Sequence, residues 1–96
     1  MENKNIKKGV ELIAEERQRQ IEEEGWTSEH DKWWRDGELC RAAACYIKRP
    51  YWLDPDLWQE WPFDLSWWKP TPQDRIRELQ KAGALIAAEI DRLLKS

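Results

Sequence analysis

Five tryptophans, Trp52, Trp58, Trp61, Trp67 and Trp68, fall in one short stretch that Pro50, Pro55, Pro62 and Pro70 interrupt or flank. Proline lacks a backbone donor and clashes with the preceding helical turn, so no long helix can run through this segment. Trp26, Trp33 and Trp34 bring the total to eight in 96 residues. An indole is large and its N–H wants an acceptor. A loop this rich in indoles is therefore pinned over a core or presents flat surfaces to a ligand. Stacking on a base is worth about 1–3 kcal/mol.

Regular structure must flank this loop, and the periodicity predicts helices there. Residues 4–24 read as a helix closed by Gly25, a favoured residue just past a helix end. Ile6, Val10, Ile13 and Ile21 lie on one stripe, and Arg17, Gln20 and Glu24 continue it with Glu16 at its edge. The first half of this helix is expected to point apolar groups inward and the second half polar ones. Asp36 is the predicted cap of a second helix over 37–48, in which Leu39, Ala42, Ala43, Tyr46 and Ile47 repeat at helical spacing and Pro50 enforces the end. Residues 49–70 form the Trp/Pro loop, a length that is more often functional than not. A third helix is predicted over 72–94, with Thr71 as cap and Pro72 in the first position. Its Ile76, Leu79, Gly83, Ile86, Ile90 and Leu93 keep strict 3-4 spacing, as in a bundle seam. That stripe is expected inside the subunit. The small-residue side, with Ala84, Leu85 and Ala88, is expected to receive another helix, one that a second subunit can supply in so short a chain. The fold class is all-α: a small three-helix domain with a long Trp/Pro-rich loop, forming an oligomeric helical bundle.

Composition narrows the partners. Sixteen basic and nineteen acidic side chains leave a net charge of −3. There is no basic excess for duplex nucleic acid, no apolar run long enough for a bilayer and no leader-like segment. A soluble chain in the cytoplasm of a host cell is expected. Cys40 and Cys45 stand about 140° apart around a helix, so both are expected reduced and mostly buried rather than paired.

Four groupings carry possible chemistry. Glu16, Arg17, Gln20 and Glu24 would line a polar cavity if they face inward, and would otherwise sit on a solvated helix end. Glu29-His30-Asp31 holds the only histidine, between Trp26 and Trp33-Trp34; a structural hydrogen bond is the plainer role for it. Trp67-Trp68-Lys69-Pro70, with Arg75 beyond, combines aromatic surface and cations as a base and phosphate require. The same indoles could equally staple the loop to the bundle. Glu38, Glu89 and Asp91 are helix carboxylates of the kind that hold Mg²⁺ in bundles, or that simply face water.

The runs Glu24-Gly25-Trp26-Thr27, Glu29-His30-Asp31, Ala42-Ala43 with Tyr46, Trp61-Pro62, Trp67-Trp68-Lys69-Pro70, and Lys81-Ala82 through Ala88-Glu89-Ile90 resemble a family of small uncharacterised phage and prophage proteins. This resemblance covers most of the chain from residue 16 onward and implies a phage origin without assigning an activity. The chain also resembles the all-α MazG-like nucleotide pyrophosphohydrolases, helical oligomers that bind Mg²⁺ through paired acids on two helices. Glu38 and Glu89 are placed like the first member of each pair, but Arg41 and Arg92 stand three residues on. Two cations in those places would repel Mg²⁺ and attract phosphate.

Three functions follow as expectations. The first is binding of a small nucleotide or related phosphometabolite without a cofactor, as in sequestration of a host defence signal. Trp26 and Trp67 or Trp68 would stack the base, Arg17, Lys69, Arg75 and Lys81 would meet phosphate, and Gln20, Glu24 and His30 would set specificity. The second is a Mg²⁺-dependent pyrophosphohydrolase using Glu16, Glu38 and Glu89 as metal ligands. The third is a protein–protein module whose Trp loop, with Trp58 and Trp61, forms a hot spot.

Overall fold

The structure is a computed structural model, and it describes residues 7–26, 37–48, 61–71 and 73–95, with Leu65 described in its backbone only. The expectations for Ile6, His30, Trp33, Trp34, Asp36, Trp52, Trp58 and Pro72 lie outside the described residues. The described residues form three α-helices, α1 (Gly9–Glu24), α2 (Glu38–Ile47) and α3 (Arg75–Lys95), with a 3-10 turn at Leu65–Trp67 before α3. Among the described residues there is no strand. The fold is all-α, with α3 packed against both α1 and α2. No helix among the described residues is long and apolar enough to cross a membrane.

The helix ends follow local chemistry. α1 begins at Gly9, later than periodicity predicts, and the Glu11 carboxylate accepts from the Lys8 N–H at 3.0 Å. It ends at Gly25, whose φ of 75° is left-handed and free of strain only for glycine. The Trp26 N–H then turns back to the Gln20 carbonyl at 3.0 Å, which folds the Trp26 side chain over the helix end. α2 starts from Gly37, also left-handed at φ 82°. α3 starts three residues later than expected. Asp74, not Thr71, is its cap: the Asp74 carboxylate accepts from the Arg77 N–H at 3.1 Å, while Thr71 closes the preceding turn by accepting from the Asp74 N–H. A carboxylate at this position also complements the positive end of the helix.

The core joins Leu39, Ala42, Ala43, Cys45 and Tyr46 of α2 to Ala82, Leu85 and Ala88 of α3, with Trp61 laid across them. Facing alanines let two helices approach closely, and this decides which side of α3 is inside. The expected assignment is reversed. The small-residue side is the intramolecular one, with Ala84 and Ala88 at 0% and 1% exposure, whereas Ile76, Leu79, Ile86, Ile90 and Leu93 are 43–63% exposed. Gly83 alone of that stripe is covered, by Ile13 of α1; a Cβ there would lie 2.6 Å from the Ile13 Cδ1. Smaller corrections follow the same logic. Val10 and Ile47 are exposed, and Cys40 is exposed while Cys45 is buried.

Candidate functional site

The buried residues of α1 are all polar: Glu16, Arg17 and Gln20. Position 16 onward faces α3 and the segment before it, so three groups that strongly prefer water are held inside and each needs an answer. Glu16 is answered by two guanidiniums. Arg19 bonds both its oxygens at 2.8 and 2.9 Å, and Arg77 of α3 reaches it at 2.6 Å. Burial alone raises the Glu16 carboxyl, but the hydrogen bonds from Arg19 and Arg77 outweigh it and hold it below the usual carboxylate range. The Arg19 guanidinium, bonded to Glu16 and touching Glu23 and Glu24, is held above its ordinary value and stays charged.

A small cleft opens above this network. It is lined by Glu16, Arg19, Gln20 and Glu24 of α1, Trp26, Tyr46 of α2, Trp67, Lys69, and Lys81 and Leu85 of α3. Trp26 and Trp67 form one wall, with ring centroids 5.8 Å apart and planes inclined at 45°. Tyr46 forms another. Burial pushes its phenol up to about 12, and its hydroxyl accepts from the Lys69 N–H at 3.2 Å. Lys81 comes in from α3 almost fully buried. Its ammonium donates to the Lys69 carbonyl at 2.6 Å and lies 5.7 Å from the centre of the Tyr46 ring. Burial lowers the Lys81 ammonium, Arg77 lowers it further, and Glu16 opposes both through space. Among the described residues no carboxylate pairs with it. Gln20 is 2% exposed; its amide donates to Glu16 at 3.3 Å, while its carbonyl oxygen has no hydrogen-bond partner among the described residues. Among the described residues the site thus holds a cation with no carboxylate paired to it and an acceptor with no donor, beside an aromatic wall.

Residues 67–70 form a strap over this cleft. The Lys69 ammonium meets Glu24 at 3.4 Å across an exposed edge. Such a surface pair contributes about 0–1 kcal/mol, so this latch is weak. Beneath the strap the enclosed space is only about 20 Å³, little more than a water needs.

Of the expected ligand residues, Gln20, Glu24, Trp26, Trp67, Lys69 and Lys81 converge on the cleft. Others do different work. Arg17 bonds the Trp26 carbonyl at 2.8 Å and lies 3.5 Å from Asp91, so it anchors the end of α1 to α3. Arg75 does not face the cleft; its guanidinium donates to the Tyr46 and Ile47 carbonyls and closes the C-terminus of α2. Trp68 packs at 4.8 Å on Tyr46 and 4.9 Å on Trp61, as a brace rather than a platform. Trp61 is likewise core, 6% exposed with its indole N–H on the Asp64 carbonyl at 2.9 Å.

The three expected metal ligands do not come together. Glu16 is engaged by arginines, Arg92 bonds both oxygens of Glu89 at 2.6 and 3.0 Å, and Glu38 stands in the first turn of α2. Among the described residues no three His, Cys, Asp or Glu side chains are grouped to hold a metal ion. Arg19, Arg77 and Tyr46 belong to the site but were not singled out as its members by their sequence. Arg19 had a usable signal, since it follows Glu16 by three residues and so shares its helix side. Comparison with known proteins finds no matching family model, no matching curated protein and no matching solved structure.

Proposed function

We propose that this protein binds a small phosphorylated ligand, a nucleotide above all, in the cleft between the polar half of α1 and the strap at residues 67–70. The observation that carries the reading is the buried Lys81 ammonium with no carboxylate partner among the described residues. A buried cation is costly, and an anion arriving beside it removes that cost. Arg19 and Lys69 add positive charge at the same mouth. Trp26 and Trp67 supply the stacking wall, and the open Gln20 carbonyl accepts from an amino or hydroxyl group of the ligand. A nucleotide exceeds the enclosed space, so entry requires the strap to lift, breaking the weak Lys69–Glu24 latch. Together with the phage-protein resemblance, a binder with these features suits sequestration of a host nucleotide signal.

Equilibrium dialysis against a panel of nucleoside mono-, di- and triphosphates and cyclic nucleotides tests this, with the bound fraction recovered and chromatographed. Retention of an unchanged ligand is the expected result. Recovery of a cleaved ligand would assign an enzyme instead, and failure to retain any member would remove the reading.

A further inference from the structure

We propose, resting on the nucleotide reading just given, that Gln20 selects the base: the ligand is a nucleotide whose base carries an exocyclic amino group, as adenine, guanine and cytosine do and uracil does not. Gln20 is 2% exposed. Among the described residues lining the cleft, its carbonyl oxygen is the one buried side-chain polar atom without a hydrogen-bond partner. Other acceptors at the cleft are engaged. Glu16 is bonded by Arg19 and Arg77, Glu24 is met by Arg19 and Lys69, and the Lys69 carbonyl receives Lys81. A buried amide oxygen left open favours a ligand that brings a donor.

Charge fixes which end of this amide stays open. The Gln20 nitrogen donates to the Glu16 Oε2 at 3.3 Å. Turning the amide over would set its oxygen against a carboxylate oxygen. Glu16 has no proton to offer in return, because the hydrogen bonds from Arg19 and Arg77 hold it ionised. The nitrogen therefore stays on Glu16, and the oxygen is left for the ligand.

The chain also ties this acceptor to the stacking face. The Trp26 N–H bonds the backbone carbonyl of Gln20 at 3.0 Å, so the residue with the open oxygen and the residue with the ring are joined directly. A base stacked on Trp26 has its edge in the same cleft as Gln20, where Lys69 and Lys81 take the phosphate. An exocyclic amino group stands clear of its ring as a pure donor. The ring N–H of uracil or hypoxanthine has a carbonyl oxygen beside it instead. That oxygen would meet the Gln20 and Glu16 oxygens as acceptor against acceptor, so this corner selects the amino edge.

Equilibrium dialysis of the full chain against ATP, GTP, CTP and UTP is expected to rank UTP last. The tightest of the other three is then compared with the analogue that lacks only the amino group: purine riboside triphosphate for ATP, inosine triphosphate for GTP, pyrimidinone riboside triphosphate for CTP. The analogue is expected to bind at least about fivefold more weakly, as a buried acceptor left open requires. Gln20→Met keeps the length of the side chain and removes the acceptor. Folded to the wild-type helical circular dichroism spectrum, it is expected to bind both members of the pair equally. UTP as the tightest ligand, equal affinity for the pair in the wild type, or a preference that survives Gln20→Met would overturn this inference and leave the anion site standing. The pair measured on the wild type decides it even where the variant does not fold. Retention of none of the four also overturns it, and the nucleotide reading falls with it once the wider panel is refused as well.

Discussion

Lys81 and Glu16 are two buried charges with opposite situations, and they separate stability from function at the level of single residues. Lys81 has a carbonyl and an aromatic ring for company; Glu16 has two guanidiniums. Replacing Lys81 by Met keeps the stem's packing and removes a charge that burial disfavours. The K81M variant is therefore expected to be as stable as the wild type or more so, by about 1 kcal/mol. The pH dependence has a definite sign. Because the folded ammonium titrates below its ordinary value, the unfolded chain binds more protons in the interval between the two. Wild-type stability should thus gain a contribution as pH rises from the depressed value toward 10.5, and thermal melts of K81M should lack it. Glu16→Gln should instead lose about 2 kcal/mol near neutrality, since charge-assisted hydrogen bonds are given up at a buried position. The Glu16 contribution is present above the ordinary carboxylate value of 4.5 and disappears as pH falls through the lower folded value. Melts of Glu16→Gln from neutral to acid pH should therefore converge on the wild type. A wild-type advantage that persists at strongly acid pH would contradict the assignment.

Between elements, the decisive contact is the passage of α1 over α3 at Gly83. Glycine inside a helix ordinarily costs about 1 kcal/mol relative to alanine. Here an added methyl would sit 2.6 Å from the Ile13 Cδ1 and 2.7 Å from its Cγ1. Overpacking typically costs about 1–3 kcal/mol, so Gly83→Ala is expected to be neutral to destabilising despite its helix propensity. In the Ile13→Ala background the same change should become stabilising, and chemical denaturation of the four-member cycle reads this coupling directly. Additive effects would show that α1 does not rest on Gly83. This contact also explains what could be read before the fold was known. The three helices and the stop at Gly25 are written in local chemistry, as is the polar second half of α1. The inner side of α3 is not. Its aliphatic stripe and its alanine side are equally periodic, and only the ten-residue, alanine-rich α2 decides between them, by packing alanine against alanine. The start of α3 departs from its sequence pattern for a related reason. Thr71-Pro72 has the form of a helix opening, yet Thr71 closes a turn and the Asp74 carboxylate takes the cap.

At the scale of the molecule, the four described tryptophans divide by task. Trp61 and Trp68 brace the strap against Tyr46 and the core, while Trp26 and Trp67 line the cleft that the strap covers. The candidate site was legible in part. Gln20, Glu24, Trp26, Trp67, Lys69 and Lys81 carry recognisable chemistry, but Arg17 and Arg75 look the same in sequence and serve as anchors. Whether a cation lines the cleft or ties off a helix end depends on which elements pack around it, which is a tertiary fact. The most direct test of the central claim is a tryptophan fluorescence titration with pyrophosphate and with a nucleoside triphosphate, run in parallel on the wild type and K81M. Saturable quenching of the wild type is predicted, with affinity reduced at least about tenfold in a K81M variant that stays folded, in keeping with the loss of one charge-assisted contact. Equal affinity in the two proteins, or no response from the wild type, would contradict an anion site at Lys81.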